Sequence, residues 1–183
     1  MNFRFVPTVL ALGAFGVAPL PAQPAFSDLT KSAAQLTAQP AGQGKLPTDL
    51  VSGLKGLASS FNLSQLNYTA LAKDALTALN AGQDSKALAA LDKIGAAKLT
   101  DSQLAAFKTA RTAVDAYVLQ RNFSGVPAVN SLIADSVAQI KSGDIAGVTV
   151  KLQTIGTSLK PTAEQKAVLD SLVAHYKGWA ARK

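Results

Sequence analysis

Apolar residues recur along this chain with the period of a helix, in blocks separated by Gly, Pro, Asn and Asp. Tyr68, Leu71, Ala72, Ala75, Leu76 and Leu79 fall at i, i+3, i+4, i+7, i+8 and i+11, and Gly82 follows where a left-handed C-terminal cap would sit. A shorter helix is expected from Ser85 through Leu88, Leu91 and Ile94 to Gly95. A third opens at Thr100-Asp101-Ser102-Gln103, a capping box in which the Thr hydroxyl and the Gln amide serve otherwise orphaned amides. Its buried stripe is Phe107, Ala110, Val114, Tyr117 and Val118.

The same pattern then returns. Leu71, Asp74, Gly82, Leu91, Ile94 and Gly95 recur 61 positions later as Leu132, Asp135, Gly143, Leu152, Ile155 and Gly156. After a one-residue insertion, Thr100, Gln103 and Ala105 recur as Thr162, Gln165 and Ala167. The last helix, after Pro161, carries Leu169, Leu172, Val173, Tyr176 and Trp179. The expected architecture is therefore all-α: a helical bundle or short solenoid made from a duplicated three-helix unit, residues 64–121 and 126–183, preceded by one or two extra helices. One stretch argues otherwise when read alone, because Val148-Thr149-Val150-Lys151-Leu152 alternates and is β-branched, like a strand. Its repeat counterpart, Ala87-Leu88-Ala89-Ala90-Leu91, is a strong helix former, which assigns the segment to a helix.

Ahead of the duplication, Leu50, Leu54, Leu57, Ala58 and Phe61 form an amphipathic stripe from Thr48, broken at Asn62–Ser64. Further back, Leu29, Ala33 and Leu36 mark a helix over Ser27–Ala38, and Gln39–Lys45, with Pro and Gly, reads as a linker. The helix-Gly-helix outline resembles tetratricopeptide hairpins, but that family's 34-residue period and its Trp, Gly, Tyr and Pro pattern are missing, so no membership is assigned.

The first residues change the picture of where this domain works. Met1–Arg4 is a short basic start, Phe5–Val17 an apolar core, and Leu20-Pro21-Ala22 a small-residue cleavage site, with cleavage after Ala25 an alternative. Residues 1–22 are thus read as a secretion signal, 23–47 as an N-terminal helix and linker, and 48–183 as a single all-α domain. The apolar run is shorter than the about 20 residues of a membrane span and is interrupted by Pro7, Pro19 and Pro21, which disfavours an uncleaved anchor. The chain has no cysteine, so no disulfide supports it. Together with its Ala-rich composition, this points to a bacterial periplasmic or secreted protein. The net charge of +7 is spread without any run of Lys or Arg, which describes a diffusely basic surface and not a nucleic-acid stripe.

Chemistry is sparse. His175 is the only histidine, so any Ser-His-Asp arrangement depends on one residue beside the buried stripe of the last helix. No calcium loop or Cys/His cluster is present, and no metal or cofactor is expected. Asp84 and Asp144 sit where short helices begin and are expected to cap them. Gly53-Leu54-Lys55-Gly56 has the form of a backbone-clamping RNA loop, but inside an amphipathic helix two such glycines are expected to let helices pack closely. Tyr117 and Trp179 are repeat equivalents expected on core faces; if exposed, they are the candidate partner anchors.

The expected function is that of an exported, non-enzymatic helical-repeat module that binds a protein or peptide or acts as a scaffold. The alternative is a cationic envelope-associated protein that binds anionic lipid, cell-wall polymer or nucleic acid. The mature chain is expected to be a monomer or weak oligomer without a transmembrane segment. Reversed charges stand at equivalent places, Lys108 with Asp170 and Asp115 with Lys177: they would attract if the third helices of the two units stack side by side and parallel, and like charges would meet in an antiparallel arrangement, the competing reading being coincidence among surface charges.

Overall fold

The computed structural model describes residues 45–180. The proposed leader, the helix over Ser27–Ala38 and nearly all of the linker lie outside the described residues. Within them the protein is all-α: α1 (Thr48–Ser59), α2 (Leu66–Asn80), α3 (Asp84–Gly95), α4 (Asp101–Phe123), α5 (Asn130–Ser142), α6 (Ile145–Ser158) and α7 (Ala163–Ala180). Single 3-10 turns at Leu63–Gln65 and Pro127–Val129 lead into α2 and α5, and no strand occurs among the described residues. Val148–Leu152 lies inside α6. Its inward positions, Val148, Leu152 and Ile155, are fully buried, so helical periodicity prevails over β-propensity once there is a core to meet.

Helix ends follow from local chemistry. Thr100 Oγ1 accepts from Gln103 N while Gln103 Oε1 accepts from Thr100 N, and Thr162 and Gln165 do the same at the start of α7. Gly82 and Gly143 adopt φ of +73° and +76°, which lets the next amides, Gln83 N and Asp144 N, bond back to Ala78 O and Gln139 O and terminate α2 and α5. Asp144 caps α6 as expected, accepting from Gly147 N at 3.1 Å. Asp84 does not cap α3: its carboxylate is buried against Arg121 and Asn122, and α3 is capped instead by Glu164 of α7, which accepts from Ser85 N and Ser85 Oγ at 2.9 Å each.

The helices close into a bundle. In a closed circuit α1 packs on α2, α2 on α3, α3 on α7, α7 on α6, α6 on α5, α5 on α4 and α4 on α1; α4 also touches α3 and α7. An open solenoid would leave its last helix away from the earlier ones, and here α7 returns onto α3. Buried side chains from all seven helices form one apolar cluster. The 23-residue α4, about 34 Å long, is its axis.

The parallel stacking of the third helices does not occur. Phe107, near the start of α4, stacks on Trp179, near the end of α7, while the other end of α4 meets the start of α7 through Gln165 and Asn122. The two helices are antiparallel, and neither charge pair forms. Asp170 bonds Lys166 within its own helix, Lys108 lies over the Trp179 ring, and Asp115 points into the interior. Exposed charge pairs contribute only about 0.2–1 kcal/mol, too little to oppose apolar packing.

Candidate functional site

Two features stand out against the apolar background: a buried ionic cluster between α3, α4 and α7, and an open apolar edge where α1, α2 and α4 meet.

The cluster centres on Arg111, whose side chain is 1% exposed. Its Nε donates to Asp115 Oδ1 at 2.7 Å, one helical turn further along α4, and its Nη1 donates to Asp92 Oδ1 of α3 at 2.6 Å. Tyr176 of α7 donates to the other oxygen of Asp115 at 2.9 Å. Burial raises the Asp115 carboxyl to about 6, against the opposing pull of Arg111 and the Tyr176 hydrogen bond. Burial, together with the negative charge of Asp115, pushes the Tyr176 phenol far above its usual range, so it remains a donor. Burial alone would lower Arg111, and the two aspartates outweigh it and hold the guanidinium above its ordinary value.

His175 stands beside this cluster. Its ring packs edge-on against Tyr176 and Trp179, with centroids 5.1 and 5.0 Å away, and its Nδ1 is 3.8 Å from Asp92 Oδ1. Ser171 Oγ donates to Asp92 Oδ2 at 3.0 Å. The carboxylate therefore stands between hydroxyl and imidazole, whereas a nucleophilic triad needs the imidazole between hydroxyl and carboxylate. Among the described residues no three His, Cys, Asp or Glu side chains group in a way that could hold a metal ion. Through these contacts the arrangement links α3, α4 and α7.

The candidate anchors are partly buried and lie apart. Trp179 is engaged by Phe107, His175 and Lys108 near the start of α4. Tyr117 sits toward its other end, where the Arg121 guanidinium lies 5.0 Å from the ring centre and donates to the phenol oxygen at 3.2 Å. Arg121 also holds buried Asp84 and the Leu79 carbonyl.

The apolar edge went unnoticed in the sequence. Leu63 and Leu66 are 87% and 59% exposed, and Leu104 is 37% exposed. Gln103 Nε2 donates to Gln65 Oε1 at 2.6 Å and to Ser60 O at 3.2 Å, which draws the neighbours of all three leucines to one end of the bundle. A separate groove of about 400 Å³ lies along α1 and α4, lined by Asp49, Ser52, Gly53, Gly56, Leu57, Ala106 and Thr109. Gly53 allows the close approach expected of it: a Cβ there would lie 3.3 Å from Ala110 Cα. Leu63 belongs to no amphipathic stripe, and its exposure is a property of the corner, not of any spacing.

Comparisons of this chain with protein-family models, with curated proteins and with solved structures find no match. Among the described residues no helix is long and apolar enough to cross a membrane.

Proposed function

We propose that this is an exported, non-enzymatic helical module that binds a protein or peptide through the edge formed by Leu63, Leu66 and Leu104. The observation that carries the reading is the concentration at one end of three of the four large apolar side chains exposed among the described residues, with Val150 the fourth. Single exposed leucines are ordinary, whereas several at one corner mark an interaction site. The closed bundle and its buried ionic cluster supply a rigid frame for that edge.

Duplication is the second part of the proposal. It is supported by the paired capping boxes, by the paired left-handed glycines and by the matching ties of Gln103 to Ser60 O and Gln165 to Asn122 O, whose donors and acceptors are each 62 positions apart. Export rests on the basic-apolar-small pattern of residues 1–22.

The test is recovery of partners from a bacterial envelope extract by the wild type and by a Leu63→Asp, Leu66→Asp variant, at low and at high salt. A partner retained at high salt and lost with the variant is the expected result. Binding that the variant keeps and salt removes would instead identify a cationic surface acting on an anionic envelope component.

A further inference from the structure

We infer that the last two turns of α7, residues 173–180, are a pH-responsive latch: they dock on α3 and α4 in acid and are released as the pH approaches neutrality, which uncovers the Phe107 ring. Apolar packing anchors the earlier turns of this helix, where Val168, Leu169 and Leu172 are buried. Beyond Leu172 the helix changes character. Val173 is only partly buried, Ala174, Lys177 and Gly178 are exposed, and a glycine inside a helix weakens it. What holds these turns is side-chain chemistry aimed at two carboxylates: Tyr176 donates to Asp115 Oδ2 at 2.9 Å, and His175 Nδ1 stands 3.8 Å from Asp92 Oδ1. Trp179 completes the contact by stacking on Phe107, which is 2% exposed. Segments with little buried apolar surface are the ones that open locally, without global unfolding.

Both polar anchors weaken in the same direction. Asp115 is wholly buried where Tyr176 meets it, and burial raises its carboxyl from 3.8 to about 6. Opening the latch admits water to that carboxyl, so the docked state holds the proton more tightly than the released one, and the advantage is lost as pH rises through 6. An imidazole attracts a carboxylate only when protonated, so proton loss from His175 removes a contact between α7 and α3 as well. The other groups acting on Asp115 are Arg111 of its own helix and Asp92 of α3. Asp49 and Lys55 of α1 and Asp135 and Lys141 of α5 are exposed, and Lys151 of α6 bonds Asp135. Leu104 lies one turn before Phe107 on α4, so release extends the exposed apolar edge. That consequence rests on the edge being the binding site, and the latch itself does not.

Hydrogen exchange of the full chain, followed by mass spectrometry at pH 5 and pH 7 and corrected for intrinsic rates, reads the latch without any partner. Amides of residues 173–180 are expected to exchange through an opening that leaves α1, α2 and α5 protected. Its opening constant is expected to rise about tenfold from pH 5 to pH 7, as a carboxyl at about 6 when docked and 3.8 when released requires. Asp115→Asn is expected to hold that rise to about threefold or less. Tyr176→Phe removes one stabiliser of the ionised carboxylate and keeps the ring, so it is expected to steepen the rise, and it serves as the test if the asparagine variant folds poorly. Three results overturn the inference: protection of residues 173–180 equal to that of the rest of the bundle, a tenfold rise that persists in Asp115→Asn, or a rise in Tyr176→Phe no steeper than in the wild type. A partner that still binds the leucine edge in any of these cases leaves the proposed function standing.

Discussion

The side chain of Gln165 donates to the backbone carbonyl of Asn122 at 2.8 Å, joining the first turn of α7 to the last turn of α4. The same amide group accepts from Thr162 N, so one residue both caps a helix and fixes its position. Gln103 does likewise with Thr100 and Ser60 O, and adds a bond to Gln65. Both glutamines are nearly buried, at 6% and 5% exposure, where a lost partner is not replaced freely by water. Gln165→Ala is expected to destabilise the protein by about 1–3 kcal/mol, from the lost cap and the orphaned carbonyl together. Gln103→Ala is expected to cost more because it breaks one bond more. Urea denaturation followed by circular dichroism checks both, and a Gln103 variant with the smaller effect would contradict the ordering.

Two glycines separate by what they face. A Cβ at Gly95 would lie 2.8 Å from Cζ of Phe107, whereas one at Gly156 would meet Leu169 at an ordinary 3.6 Å. Gly156→Ala is expected to stabilise the protein by up to about 1 kcal/mol through helix propensity. Gly95→Ala must move the Phe107 ring, which stacks on Trp179, and is expected to be destabilising by about 1–3 kcal/mol. Melting temperatures that shift in the same direction for both variants would contradict this.

The helices were legible in the sequence because a buried stripe imposes its period on residue choice, and Leu88, Leu91 and Ile94 on α3 show it with full burial. The cluster was not legible. Arg111 and Asp115 are spaced i, i+4, the signature of a surface pair, and the match of Asp115 with Lys177 likewise treats Asp115 as a surface charge. The overlooked signal is register: Arg111 follows Phe107 by four positions and precedes Val114 by three, which places it on the buried stripe itself. Because α1, α3, α5 and α7 all pack on α4, even its polar positions are covered, and a one-face pattern understates such burial.

Burial sets the acidity of Asp115. Asp115 has its carboxyl raised from 3.8 to about 6 in the folded protein, so the folded chain holds that proton more tightly than the unfolded chain. Its contribution to stability is therefore fully present below about pH 4 and is lost as pH rises through 6. Between pH 5 and pH 7 the wild type is expected to lose stability relative to Asp115→Asn, by on the order of 1 kcal/mol. Parallel unfolding free energies for the two proteins across that window would contradict the assignment.

Arg111 decides what the cluster is for. Its guanidinium is the cation bonded to two carboxylates, one of them, Asp115, wholly inaccessible, so Arg111→Leu leaves a buried aspartate whose remaining donor is Tyr176. Breaking one side of a buried pair costs about 3–5 kcal/mol, while replacing both sides by apolar residues is often neutral or better. Arg111→Leu alone is accordingly expected to unfold at markedly lower urea, and Arg111→Leu with Asp115→Leu to recover most of the loss. Recovery would show that α7 is held by apolar contact and that the ions orient the helices without adding net stability. A double variant as unstable as the single one would instead mean that Tyr176 and Asp92 need a charged centre, and that the cluster is what keeps α3, α4 and α7 together.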